Sequence, residues 1–120
     1  MVAGHEVLQG EGGISISIDT RGAEEPTQEQ VEFYRRLTSD LDRTLQPALS
    51  ELARRYREFH RRELPGDWRQ AFKLAGVGVP LNGDGNLEWD VALECLTGNS
   101  QFLYTCYFEH GALSHVSVDT

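Results

Sequence analysis

Beyond Lys73 the sequence contains no lysine and no arginine. Residues 74–120 still carry Asp84, Glu88, Asp90, Glu94, Glu109 and Asp119, so this part of the chain is expected to present an acidic surface. Lysine is scarce throughout: ten of the eleven basic residues are arginine, and five of those (Arg54, Arg55, Arg57, Arg61, Arg62) crowd into one short stretch. The formal net charge of -8 argues against a general role on nucleic-acid backbones, which must be neutralised by cations. No apolar run approaches the roughly 18 residues that a membrane-spanning helix needs. The opening "MVAGHEVLQGEGG" has neither a basic nor an apolar segment of the secretory kind, and a cytoplasmic location is the expectation.

Cysteine is scarce too. If "LTGNSQ" closes a hairpin, the residue opposite Cys95 is near position 102, and Cys106 lies four positions further along its strand. At roughly 3.3 Å per residue that offset is about 13 Å, beyond the roughly 7 Å that bridged Cα atoms allow. Two thiols are therefore expected, as in a reducing compartment. The glycines of "AGVGVPLNGDGN" contain no phosphate-cradling pattern, and the "DGN" fragment lacks the later bidentate acid of a calcium loop. No cofactor is implied.

What the sequence does contain is periodicity. In "LEWDVALEC" Leu87, Trp89, Val91, Leu93 and Cys95 point one way, and Glu88, Asp90, Ala92 and Glu94 the other. Near the start, "GISISID" alternates Ile14, Ile16 and Ile18 with serines, a half-buried strand for which the preceding "HEVLQGEGG" offers a short partner strand closed by glycines. Thr27 and Gln30 have the spacing of a helix capping box. Apolar residues then recur at Val31, Tyr34, Leu37, Leu41, Leu45, Ala48, Leu49, Leu52, Tyr56 and Phe59, the stripe of an amphipathic helix. Unbroken over 28–63 that helix would run about 54 Å, too long for a chain this size, so a kink or break near Pro47 is expected. Pro65 and Gly66 stop it, and Asp67 caps one turn carrying Trp68, Ala71 and Phe72.

From Leu74 the period is two. Strands at 77–81, 87–95, 102–109 and 113–119, separated by turn residues, form a four-stranded antiparallel meander. The expected fold is a single α+β domain over residues 1–120: an N-terminal strand or hairpin, the long helix, and the meander with the helix packed on one face. If 87–95 pairs with 102–109 at a position sum near 197, Asp90 faces Tyr107, Glu94 faces Leu103 and Glu88 faces Glu109, and a shift of one residue changes these pairs but not the faces.

Two features compete for function. The "RRYREFHRR" run could track a nucleic acid, but Glu51, Glu58 and Glu63 lie at helical spacing to pair with its arginines, so a solvated helix face is favoured. His110 and His115 sit in a turn and a strand rather than on one helix face, so no metal site is expected. Cys106 shares its face with Phe102, Tyr104 and Phe108, which points to a buried, inert thiol and to no catalytic residues. The carboxylate row on the sheet is left. Solvated faces ordinarily mix charge signs, and a self-repelling acidic face with Tyr and Leu among its charges would match a strongly basic protein.

The combination of "WDVALECL", "LYTCYFEHGALSHVSVD" and "EPTQEQ" after an alternating strand resembles small uncharacterised bacterial proteins with the same element order. Some of these serve as immunity proteins beside polymorphic toxins. The resemblance implies binding rather than catalysis: a toxin domain neutralised through Glu88, Asp90, Glu94, Tyr107 and Glu109, without nucleic acid, membrane, metal or cofactor. Two rival classes stay open. One is a small enzyme in which Cys106, His110 or His115 meet in a pocket. The other is a self-associating structural or regulatory domain, for instance a homodimer, in which the arginine-rich helix of one copy meets the acidic sheet of another.

Overall fold

A computed structural model of the chain describes residues 5–9, 15–19, 25–96 and 102–119. The expected strand position Ile14, the first glycine cluster and the "TGNSQ" turn lie outside the described residues. The chain is α+β. Strand β1 (His5–Gln9) pairs antiparallel with β2 (Ser15–Asp19), and a helical segment follows. Strands β3 (Phe72–Val79), β4 (Trp89–Cys95), β5 (Leu103–Glu109) and β6 (Ala112–Asp119) then form the expected antiparallel meander.

One expectation is corrected. The sheet is not a free-standing antiparallel meander: β2 pairs parallel with β3, joining hairpin and meander into one mixed sheet of order β1-β2-β3-β4-β5-β6. Parallel neighbours need a long crossover, and the helical segment supplies it.

The helix is broken more than once. Helix α1 (Gln28–Ser39) opens with the capping box read from the sequence: Gln30 N–H donates to Thr27 Oγ1 at 3.2 Å, and Thr27 N–H to Gln30 Oε1 at 2.9 Å. It ends at Asp40, whose φ of -140° and ψ of 67° are not helical. The "TSD" sequence there accounts for the break, because short polar side chains offer the backbone alternative partners. Thr38 Oγ1 donates to the Tyr34 carbonyl at 2.9 Å, Ser39 Oγ to that of Arg36 at 3.0 Å, and Asp40 caps helix α2 (Leu41–Leu45) by accepting from Arg43 N–H. Pro47 lies, as expected, at a second break, a 3-10 turn over Gln46–Ala48. Helix α3 (Leu49–His60) then ends at Arg61, which takes the left-handed conformation at φ 55°.

These segments bury one stripe. Leu45, Ala48, Leu52 and Tyr56 are all but inaccessible, packed in one cluster with Val77, Val91, Leu93, Tyr104, Cys106 and Phe108 of the sheet. Each buried leucine contributes about 1.5–3 kcal/mol over leaving it in water. Trp68 closes the cluster from a 3-10 turn capped by Asp67, its indole N–H donating to Asp42 Oδ1 at 2.8 Å. Phe72, expected in that turn, is instead the first residue of β3.

Two bulges explain how the meander keeps one apolar face. In β3 the register shifts between Leu74 and Gly76, so Ala75 is the extra residue and Phe72, Leu74, Val77 and Val79 all face the helices despite their mixed parity. In β6 the shift leaves Ser114 unpaired, which puts Leu113 and Val116 on the same side. Leu81, expected to extend the strand past Pro80, lies in a 3-10 turn over Leu81–Gly83.

Candidate functional site

The candidate surface is the sheet face turned away from the helices. Strand β4 alternates as its sequence dictates: Val91, Leu93 and Cys95 are buried, whereas Asp90, Ala92 and Glu94 are partly exposed on the other side. The β4–β5 register has the expected sum of 197, with Asp90 opposite Tyr107 and Glu94 opposite Leu103.

Asp90 is the most constrained of the candidates. Across the β3–β4 ladder its neighbour is Gly78, and its carboxylate lies over that bare Cα: a Cβ built on Gly78 would be 2.6 Å from Asp90 Oδ2. Burial pushes the Asp90 carboxyl above the ordinary carboxylate range, and the negative charge of Glu88 adds to this, while a hydrogen bond from the Gly78 backbone opposes it. On its other side Tyr107 stacks on His115 with ring centroids 4.5 Å apart and planes at 15°. Glu94 stands in register between Lys73 of β3 and Leu103 of β5. The row therefore has one cation, Lys73, that the strand pattern alone did not place beside it.

Glu88 and Glu109 are placed differently. Glu88 is exposed just before β4 starts, so the expected facing pair with Glu109 falls beyond the end of the ladder. Glu109, at the end of β5, lies 3.4 Å from the exposed His110 imidazole. The structure thus brings Asp90, Tyr107 and Glu94 onto one continuous surface, with Glu88 and Glu109 at its margin.

Between the Asp90 and Glu94 rows runs a lane that the sequence did not reveal. Gly76, Ala92, Thr105 and Ser117 are successive register partners across β3, β4, β5 and β6. All four are small, and Thr105 is buried between its larger neighbours. The lane depends on both bulges, which is why no spacing in the sequence marks it. It separates the Asp90–Tyr107 row from the Glu94–Leu103 row on the outer face.

The other candidates separate in space. Cys106 is fully buried on the helix-facing side, opposite Val91, and burial pushes its thiol up to about 12. His110 is in the exposed β5–β6 turn at φ 56°, and His115 is on the outer face. The version of an enzyme that required these three to meet is thereby removed. The arginines of α3 are engaged with carboxylates as expected: Arg54 with Glu51 and Glu58, Arg55 with Glu58, and Arg57 with Glu63. No group of three or more metal-ligating side chains occurs among the described residues. None of their helices is long and apolar enough to cross a membrane.

One pairing escaped the sequence altogether. His60 Nε2 lies 3.5 Å from Cys95 Sγ, joining the last turn of α3 to the end of β4. The two are far apart in the chain, and only the packing of α3 on the sheet brings them together. Searches of protein-family models, of curated proteins and of solved structures return no match to this chain.

Proposed function

We propose that the protein is an immunity-type inhibitor: it binds a basic toxin domain through the outer face of β4 and β5 and neutralises it by occlusion. The observation that carries this reading is Asp90. A carboxylate held against Gly78, partly desolvated and beside Glu88, is destabilised in the unbound protein. A cation from a partner relieves that penalty, so complex formation gains where the isolated fold loses. Glu94 extends the acidic surface, and Tyr107, stacked on His115, offers a rigid aromatic face of the kind enriched at binding hot spots. The small-residue lane lets a protruding segment approach the strands closely.

The mechanism needs no chemistry from this chain. Carboxylates occupy the cations with which a toxin would hold its substrate, and the sheet blocks access to them. Association is fast because opposite fields steer encounter, and it weakens as salt screens them. Self-association through α3 has less to support it, because Arg54, Arg55 and Arg57 already have carboxylate partners within their own helical region.

The test begins with capture of the tagged protein's partner from its native lysate at low salt, beside an Asp90→Arg, Glu94→Arg double variant. Growth is then measured in cells producing the captured partner with either form. The expected result is one basic protein retained by the wild type alone, toxic by itself and harmless in its presence. A captured partner that is acidic, or equally neutralised by the double variant, contradicts the reading.

A further inference from the structure

Around Cys95 and His60 the core contains polar groups that packing alone does not explain. Cys95 Sγ and His60 Nε2 are 3.5 Å apart, close enough for a thiol–imidazole hydrogen bond. The His60 ring stacks on Tyr56 at 4.4 Å, meets the edge of Phe102 at 5.2 Å and lies parallel to Tyr104 at 6.2 Å. Tyr104 is inaccessible, and its Oη has no hydrogen-bond partner among the described residues. Tyr104 is the register partner of Leu93, which lies two positions from Cys95 on the same buried face of β4. A buried hydroxyl without a partner costs about 1–3 kcal/mol, so a donor left unused beside a thiol is a feature to be accounted for.

We propose that Cys95 is a redox-modification site for small hydroperoxides, with His60 as its base and the Tyr104 phenol as the donor that receives the new oxygen. In the reaction His60 Nε2 takes the thiol proton and the Cys95 sulfur attacks one peroxide oxygen. The O–O bond breaks, and the leaving hydroxide takes the proton back from His60 to form water. Sulfur is oxidised by two electrons to the sulfenic acid, and the peroxide is reduced by the same two. Tyr104 Oη–H then donates to the sulfenic oxygen, gaining the partner it lacks.

Two features favour this site over the second thiol, and a third sets the fate of its oxidised form. Burial, with the charge of Arg62 adding to it, holds His60 below its ordinary range, so the imidazole is neutral near pH 7 and able to accept a proton. His60 is partly exposed at the end of α3, whereas Cys106 is sealed in the sheet opposite Val91. Val91 and Cys95 are four residues apart on β4, about 13 Å, so an oxidised Cys95 has no cysteine within bridging distance and persists until an external thiol reduces it.

Hydrogen peroxide with dimedone trapping, read at both cysteines by peptide mass spectrometry, tests this on the wild type, His60→Gln and Tyr104→Phe. Thermal melts establish that each variant is folded. Cys95 is expected to be trapped at least about tenfold faster than Cys106, with His60→Gln slowing it at least about tenfold and Tyr104→Phe slowing it less. Equal trapping of both cysteines, at rates that follow global unfolding in added urea, overturns the proposal. So does a Cys95 rate unchanged in both variants.

Discussion

The Asp90 carboxylate rests on the Cα of Gly78, its register partner across β3 and β4. A methyl group at position 78 would meet Oδ2 at 2.6 Å and Cγ at 2.9 Å, so one of the two must move. Alanine ordinarily suits a strand better than glycine, by roughly 0.5–1 kcal/mol. Here crowding opposes that gain, and Gly78→Ala is expected to destabilise the protein by about 1–3 kcal/mol. In an Asp90→Ala background the same substitution is expected to be neutral or stabilising. Urea unfolding of the four proteins of this cycle measures the coupling, and a Gly78→Ala that stabilises the wild type contradicts the contact.

The raised Asp90 carboxyl fixes a sign for the pH dependence of stability. A carboxyl titrating higher in the folded than in the unfolded chain keeps its proton longer on the folded side. Stability from this group is therefore greatest below the unfolded value near 3.8 and falls as pH rises through the folded value. Asp90→Asn, which retains an acceptor for Gly78 N–H, is expected to be more stable than the wild type at pH 7. The difference should close as pH falls below the ordinary carboxylate range. Thermal melts across pH test this, and an advantage that grows on acidification contradicts it.

Gln30 is the inaccessible polar side chain that ties α1 to the end of β3. Its Oε1 accepts from Thr27 N–H, and its Nε2 donates to the Pro80 carbonyl at 3.2 Å. Truncation to alanine orphans both groups, and Gln30→Ala is expected to cost about 2–4 kcal/mol. Gln30→Glu keeps the cap but turns a carboxylate toward a carbonyl, so it is expected to be destabilising as well. Chemical denaturation checks both, and a change below about 0.5 kcal/mol in Gln30→Ala removes the tether from the account.

Much of the outer face was legible in sequence because β4 alternates strictly, and side chains on a strand have a period of two. The alternation placed Asp90 and Glu94 together, and a pairing sum near 197, taken for the hairpin, aligned Asp90 with Tyr107 as β4 and β5 do. The break at Asp40 was hidden because the apolar stripe runs through it: Leu37, Leu41 and Leu45 keep helical spacing while Thr38, Ser39 and Asp40 rearrange the backbone. The parallel β2–β3 pairing left no local mark, since Ile16 and Val77 meet only after the helical crossover. The Lys73–Glu94 neighbours and the small-residue lane both depend on register across bulges at Ala75 and Ser114. A bulge shifts parity without a composition signal of its own. Cys95 and His60 likewise meet through tertiary packing alone.

The most direct test of the acidic face is the affinity of the captured toxin partner for three forms of the protein, measured by calorimetry at low and at high salt. These are the wild type, Asp90→Arg with Glu94→Arg, and a control of equal charge change at exposed positions outside the sheet, Glu32→Arg with Glu63→Arg. If β4 and β5 form the binding surface, the sheet double variant loses at least about thirtyfold in affinity, the control loses far less, and wild-type binding weakens with salt. Equal losses in the two double variants, or an Asp90→Arg, Glu94→Arg protein that binds as tightly as the wild type, would contradict it.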